Sequence, residues 1–217
     1  MKKLIIFDLD GTLLNTIADL GNSVNYALEQ MGFTPHSLTS FRFMVGNGVR
    51  KLIQRAQVDA NEETVEQLLT YFRQHYDEHD CDLTEPYKGI PELLQQLTDK
   101  GVKIAVASNK YQSAVDKIIK HYFPDIPFVS ICGQVEDRPT KPDPSIIFHI
   151  LNQCPTPKSE VLMVGDSAVD METAHRAGIE CVGVTWGFRP VSELRKAYAD
   201  HIASLPADIL NRLNDPF

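Results

Sequence analysis

Five short apolar runs, at residues 4–9, 102–107, 128–131, 161–164 and 181–184, are each followed by a polar or glycine-containing loop. Uninterrupted apolar runs of this length read as strands buried on both faces, the pattern of a parallel sheet. Helix-length segments separate them. Pro91 suits the first turn of a helix over residues 92–100, with Gly101 at its C-terminal cap, and residues 168–177 end in the same way at Gly178. The alternation predicts an α/β fold, a Rossmann-like, doubly wound and mostly parallel sheet. Residues 17–82 break it: Leu20, Val24, Ala27, Leu28 and Met31 recur at three and four residues, and no strand pattern is present. The expected organisation is an α/β core of residues 1–16 and 83–217 with a helical domain, 17–82, inserted after the first strand.

Composition narrows the function. The 217 residues are 43% hydrophobic, enough for a well-buried core. No apolar run approaches the roughly 18–20 residues needed to cross a bilayer. Only a few apolar residues follow Met1-Lys2-Lys3 before Asp8, too few for a signal peptide, so the expectation is a cytoplasmic protein with no membrane partner. Cys81, Cys132, Cys154 and Cys181 form no C-x-x-C pair, which argues against a zinc knuckle or a redox dithiol and favours buried free thiols. A formal charge of −8 disfavours nucleic acid as a partner. A small anionic substrate then requires a site with its own positive charge.

The first run ends in "DLDGT", where Asp8 and Asp10 crowd together before Gly11. On a strand, period-two alternation sends both carboxylates the same way; a helix cap followed by a turn would use the same residues. "GDSAVD", at residues 165–170, repeats the form, with Asp166 at a strand end and Asp170 in the first turn of a helix. In a parallel sheet the two ends share an edge, and that much negative charge calls for a cation. Carboxylate oxygens without Cys or His favour Mg²⁺. "SNK" places Ser108 and Asn109 after another strand, where a hydroxyl and helix amides can hold an anion. "KPDP" holds Lys141 in a rigid segment. Singly, Ser108 and Lys141 are more often a helix cap and a surface lysine; their order is what points to function.

The order of these four motifs closely resembles that of the haloacid-dehalogenase-like phosphohydrolases, over nearly the whole chain, with the inserted helical segment where that family carries a helical cap. The resemblance implies a nucleophilic Asp8 that forms an aspartyl-phosphate, and Asp10 as general acid and base, a role suited to a carboxyl whose pKa neighbouring Asp8 raises. It implies Mg²⁺ held by Asp8, the Asp10 carbonyl and Asp166. Thr12, Ser108, Asn109 and Lys141 would bind phosphoryl oxygens or position Asp8, and Asp170 would orient waters or Lys141.

"FMVGNGVRKLIQRA", residues 43–56, resembles the cap segment of phosphoglycolate phosphatases, whose glycine turn starts a basic helix. Arg50 and the helix amides would then meet an anionic leaving group; an ordinary solvated helix start has the same composition. The implied substrate is a small phosphorylated metabolite, 2-phosphoglycolate. Two alternatives stay open: a β-phosphoglucomutase-like phosphosugar mutase, and a non-catalytic phosphate-responsive module.

Overall fold

In the computed structural model, which describes residues 1–214, the first apolar run forms β1 (Leu4–Phe7), buried at every position. Residues 215–217, the end of the expected core, lie outside the described residues. After β1 come a two-residue strand, β2 (Leu14–Asn15), and three helices, α1 (Ile17–Gln30), α2 (Val49–Ala56) and α3 (Glu62–His79). A 3-10 turn (Leu38–Phe43) joins the first two helices. β3 (Glu85–Pro86) pairs antiparallel with β2, so the chain leaves and re-enters the core through one small ribbon. Helix and strand then alternate: α4 (Ile90–Asp99), β4 (Lys103–Tyr111), α5 (Gln112–Tyr122), β5 (Phe128–Gln134), α6 (Ser145–Gln153), β6 (Val161–Gly165), α7 (Ala168–Ala177), β7 (Glu180–Val184), α8 (Val191–Lys196), β8 (His201–Ala203) and α9 (Asp208–Asn211).

The main sheet has the order β5-β4-β1-β6-β7-β8, and every pair in it is parallel. Along β1, Ile5 and Phe7 enter a core cluster on one face and Leu4 and Ile6 a second cluster on the other. Helices therefore cover both faces, as the doubly wound reading requires. Leu28 of α1 and Phe72 and Tyr76 of α3 belong to the same cluster as Ile5 and Phe7, so the inserted helices extend the core instead of standing apart from it.

Phe7 is level with Val106 of β4 on one side and with Val164 of β6 on the other. The residues just beyond, Asp8, Ser108 and Asp166, consequently emerge at one edge, beside the strand where the sheet order reverses. Such an edge is where open α/β sheets bind ligands.

Three boundaries differ from expectation. β1 stops at Phe7, and Asp8 to Leu14 form a turn closed by Leu13 N–H donating to the Leu9 carbonyl at 3.0 Å and Gly11 N–H to that of Leu14 at 2.8 Å. Strand alternation therefore does not aim Asp10; this turn does. β4 runs on through "SNK" to Tyr111, with a shift of register against β5 between Ala107 and Tyr111. The edge strand β8 and the β2–β3 ribbon are not foreseeable from the sequence, because two or three residues are too few to show a period.

Candidate active site

The loop between β5 and α6 delivers Lys141 beneath the β1 edge, where it is 3% exposed. Its Nζ donates to Asp8 Oδ1 at 2.9 Å and to Asp170 Oδ1 at 2.7 Å. Asn109 sets its position by a two-way clasp: Lys141 N–H donates to Asn109 Oδ1 at 2.8 Å and Asn109 Nδ2 donates to the Lys141 carbonyl at 3.0 Å. Asp170 is fully buried in the first turn of α7, where its Oδ2 accepts from Ser167 N–H at 3.2 Å in a capping box and from the Ser167 hydroxyl at 2.7 Å. One side chain thus starts the helix and anchors the lysine.

Asp166 completes this layer, its Oδ2 accepting from Phe188 N–H at 2.6 Å. The preceding Gly187 permits that approach, since any Cβ there would run into the Asp166 side chain and the Gly11 carbonyl. Oxygens of Asp8, Asp166 and Asp170 lie within 4.8 Å of one another. Burial raises the Asp8 carboxyl to about 7, with Asp170 and Asp10 adding to the shift and Lys141 opposing it. Burial also drives Asp166 well above the carboxylate range, reinforced by Asp170 and Asp8. Burial disfavours the charge on Lys141, yet Asp170 and Asp8 outweigh it and hold the ammonium above its ordinary range. Three buried carboxylates facing a single ammonium leave negative charge uncompensated. An all-oxygen donor set of this kind fits a divalent cation.

Asp10 sits apart from this cluster. Lys110, buried near the end of β4, donates from Nζ to Asp10 Oδ1 at 2.9 Å and to Oδ2 at 3.3 Å. The same Nζ lies 4.7 Å from the centroid of the Tyr76 ring, and Lys110 N–H donates to Ser108 Oγ at 3.1 Å. The carboxyl expected to do proton transfer therefore has a cation as its close partner.

Above Asp8, Asp10, Ser108 and Asn109 is a cavity of about 40 Å³. The inserted helices roof it with Leu20, Val45, Val49, Leu52 and Phe72. Three bonds hold the roof down: Asn109 Nδ2 to the Gly46 carbonyl at 3.1 Å, Arg42 to the Gly187 carbonyl at 3.0 Å, and Arg189 to the Val45 carbonyl at 2.8 Å. Gly46 and Gly48 both have positive φ, which lets the chain turn sharply into α2 with its first residues lining the cavity.

Two expected residues are placed otherwise. Thr12 is fully buried and does not line the cavity, and its hydroxyl has no partner among the described residues. Arg50 faces away, paired with Glu62 and Glu66 on the outer surface, because Leu52, Ile53 and Ala56 form the buried stripe of α2. The residues that sequence reasoning misses are Lys110, the Gly187-Phe188 backbone, and the arginines at 42 and 189. Lys110 alone has a signal, being two positions from Ser108 on a strand.

A family model for haloacid dehalogenase-like hydrolases matches residues 5–184. The chain belongs to that family. Among haloacid dehalogenase-like relatives, a phosphoglycolate phosphatase of Mesorhizobium japonicum is 32% identical over 220 residues, covering 98% of this chain and 96% of its own. A phosphoglycolate phosphatase of Pseudomonas putida is 32% identical over 200 residues, covering 88% of this chain and 73% of its own. The crystal structure of a predicted phosphoglycolate phosphatase from Haemophilus somnus superposes with a TM-score of 0.90 at 31% identity, over 97% of each chain. Within the described residues, no helix is long and apolar enough to cross a membrane.

Proposed function

We propose that this chain, a phosphatase of the haloacid dehalogenase-like family, hydrolyses 2-phosphoglycolate through an aspartyl-phosphate on Asp8. An Asp8 oxygen attacks phosphorus, the bond to the glycolate oxygen breaks, and Asp10 gives that oxygen its proton. Asp10 then takes a proton from water, whose oxygen attacks the acyl phosphate to release phosphate and restore Asp8. Lys141 favours the ionised form of Asp8 and faces the phosphoryl charge; Lys110 positions Asp10; Ser108 and Asn109 order the rim. Asp8, the Asp10 carbonyl and Asp166 would hold Mg²⁺, favoured over softer ions because the donors are all oxygen. When bound, the ion neutralises charge on the phosphoryl oxygens.

The observation that carries this reading is the meeting of Asp8, Lys141, Asp166 and Asp170 at one sheet edge, with Asp10 separately paired to Lys110. The substrate is supported by the names of the relatives. Helices α1 to α3 act as the cap, and the amides that open α2, not Arg50, meet the leaving carboxylate.

Phosphate release from 2-phosphoglycolate and p-nitrophenyl phosphate, with Mg²⁺ present, tests the reading. Asp8→Asn is expected to lower turnover on the order of 10⁴-fold or more, and wild-type-like turnover would sink the mechanism. Conversion of a hexose phosphate to its isomer would instead favour the mutase. Failure to release phosphate from any of a broad ester panel would favour the non-catalytic module.

A further inference from the structure

The turn after α7 brings the chain back into β7, so that His175 in the last turn of the helix overlies Cys181 near the start of the strand. In the parallel pair β7–β8, Val182 is level with His201, which sets the preceding residues, Cys181 and Asp200, side by side. Cys181 Sγ is 3.6 Å from His175 Nε2 and 3.2 Å from Asp200 Oδ2, and those two atoms are 3.8 Å apart. This group lies at the amino ends of the strands, on the opposite edge of the sheet from Asp8.

Tetrahedral zinc, with sulfur at about 2.3 Å and nitrogen or oxygen at about 2.0–2.1 Å, separates its donor atoms by roughly 3.3–3.6 Å. The 3.6 Å separation falls in that range, and the other two, 3.2 and 3.8 Å, lie just either side of it. The donors are thiolate, imidazole and carboxylate, a set suited to a borderline-soft ion and unlike the all-oxygen cluster of the candidate active site. Cys181 is buried, whereas His175 and Asp200 are partly exposed, so an ion can enter from solvent and keep a water as fourth ligand. Neighbouring Glu180 is committed elsewhere, to Lys2 at 2.5 Å and to His201 at 2.6 Å.

We propose that His175, Cys181 and Asp200 form a second metal site, for Zn²⁺ or a like divalent transition ion, which braces α7, β7 and the turn before β8. Binding forms a metal–sulfur bond in place of the Sγ–H bond, and the proton passes to the buffer. The competing reading is a hydrogen-bonded staple without metal, since Asp200 Oδ2 also accepts from Cys181 N–H at 2.9 Å.

Titration of the chelator-treated full chain with Co²⁺ decides between them, because only a thiolate ligand produces a sulfur-to-cobalt charge-transfer band. One equivalent is expected to develop that band, with a proton released and Zn²⁺ displacing the cobalt. The band should vanish in Cys181→Ser and persist in Asp166→Asn, which alters only the other site. His175→Gln, on the exposed face of α7, should keep the circular dichroism of the wild type while weakening Co²⁺ binding at least about tenfold; it decides the matter if Cys181→Ser does not fold. No band at saturating Co²⁺, a band that survives Cys181→Ser, or unchanged affinity in His175→Gln would overturn the proposal.

Discussion

The floor and roof of the candidate active site are built on opposite plans. The floor is charged: Lys141 joins Asp8 to Asp170, Ser167 secures Asp170, and Lys110 holds Asp10. Every one of these groups sits at a strand end or is tied to one, so the sheet register fixes their separations. The roof supplies apolar side chains and backbone, and main-chain carbonyls of Val45 and Gly46 help hold it to the floor. On the proposed function, the floor carries the chemistry, and the roof excludes water and shapes the leaving-group space.

That division can be broken most forcefully at Lys141. Lys141→Met removes the one ammonium between two buried carboxylates, for an expected loss of about 3–5 kcal/mol in denaturant unfolding together with phosphatase activity. A stable, active variant would mean that the floor does not depend on this charge. Lys110→Met should be milder: Asp10 loses a charge-assisted bond worth about 1.5–3 kcal/mol, so kcat falls about 10- to 150-fold with KM nearly constant. A rise in KM at constant kcat would instead make Lys110 a simple binding group.

Metal removal sharpens the same contrast through pH. Asp8, raised to about 7, and Asp166, also raised, favour folding most when protonated. The Asp8 contribution is complete below the unfolded carboxylate pKa, about 4, and is lost as pH rises through about 7; that of Asp166 is likewise lost as pH rises. Melting of the metal-free protein should therefore fall over that interval, and the increase in Tm on adding Mg²⁺ should grow with pH. For a chain of this size each kcal/mol of added stability raises Tm by about 2–4 °C. An increase independent of pH would place the ion elsewhere. Arg50→Ala, on the roof's outer face, carries the smallest effect: its exposed pairs with Glu62 and Glu66 are worth about 0–1 kcal/mol, and kcat/KM should stay within about twofold. A large rise in KM would return a cation to the roof.

The same contrast explains what can be read from the sequence. The strands that carry the floor are buried on both faces and appear as continuous apolar runs, and the polar residues that interrupt them, Asp8, Ser108 and Asp166, belong to the candidate site. Asp170 is visible too, because a carboxylate in a first helical turn leaves a local pattern. Arg50 is misplaced because a glycine turn before basic residues does not reveal the helical phase; the stripe Leu52, Ile53 and Ala56 does, and it points Arg50 outward. Lys110 escapes notice because three consecutive polar residues read as a loop, although β4 continues through them. The bonds of Arg42 and Arg189 join residues about 145 positions apart through backbone carbonyls, which have no side-chain signature.

The central claim is that the floor performs the reaction covalently through Asp8. Rapid acid quench of a single turnover with ³²P-labelled 2-phosphoglycolate and Mg²⁺, followed by peptide mapping, tests it directly. The account predicts transient, alkali-labile label on the peptide containing Asp8, and none in Asp8→Asn. Full turnover with no protein-bound label at any quench time, or label on a peptide from another part of the chain, would contradict it.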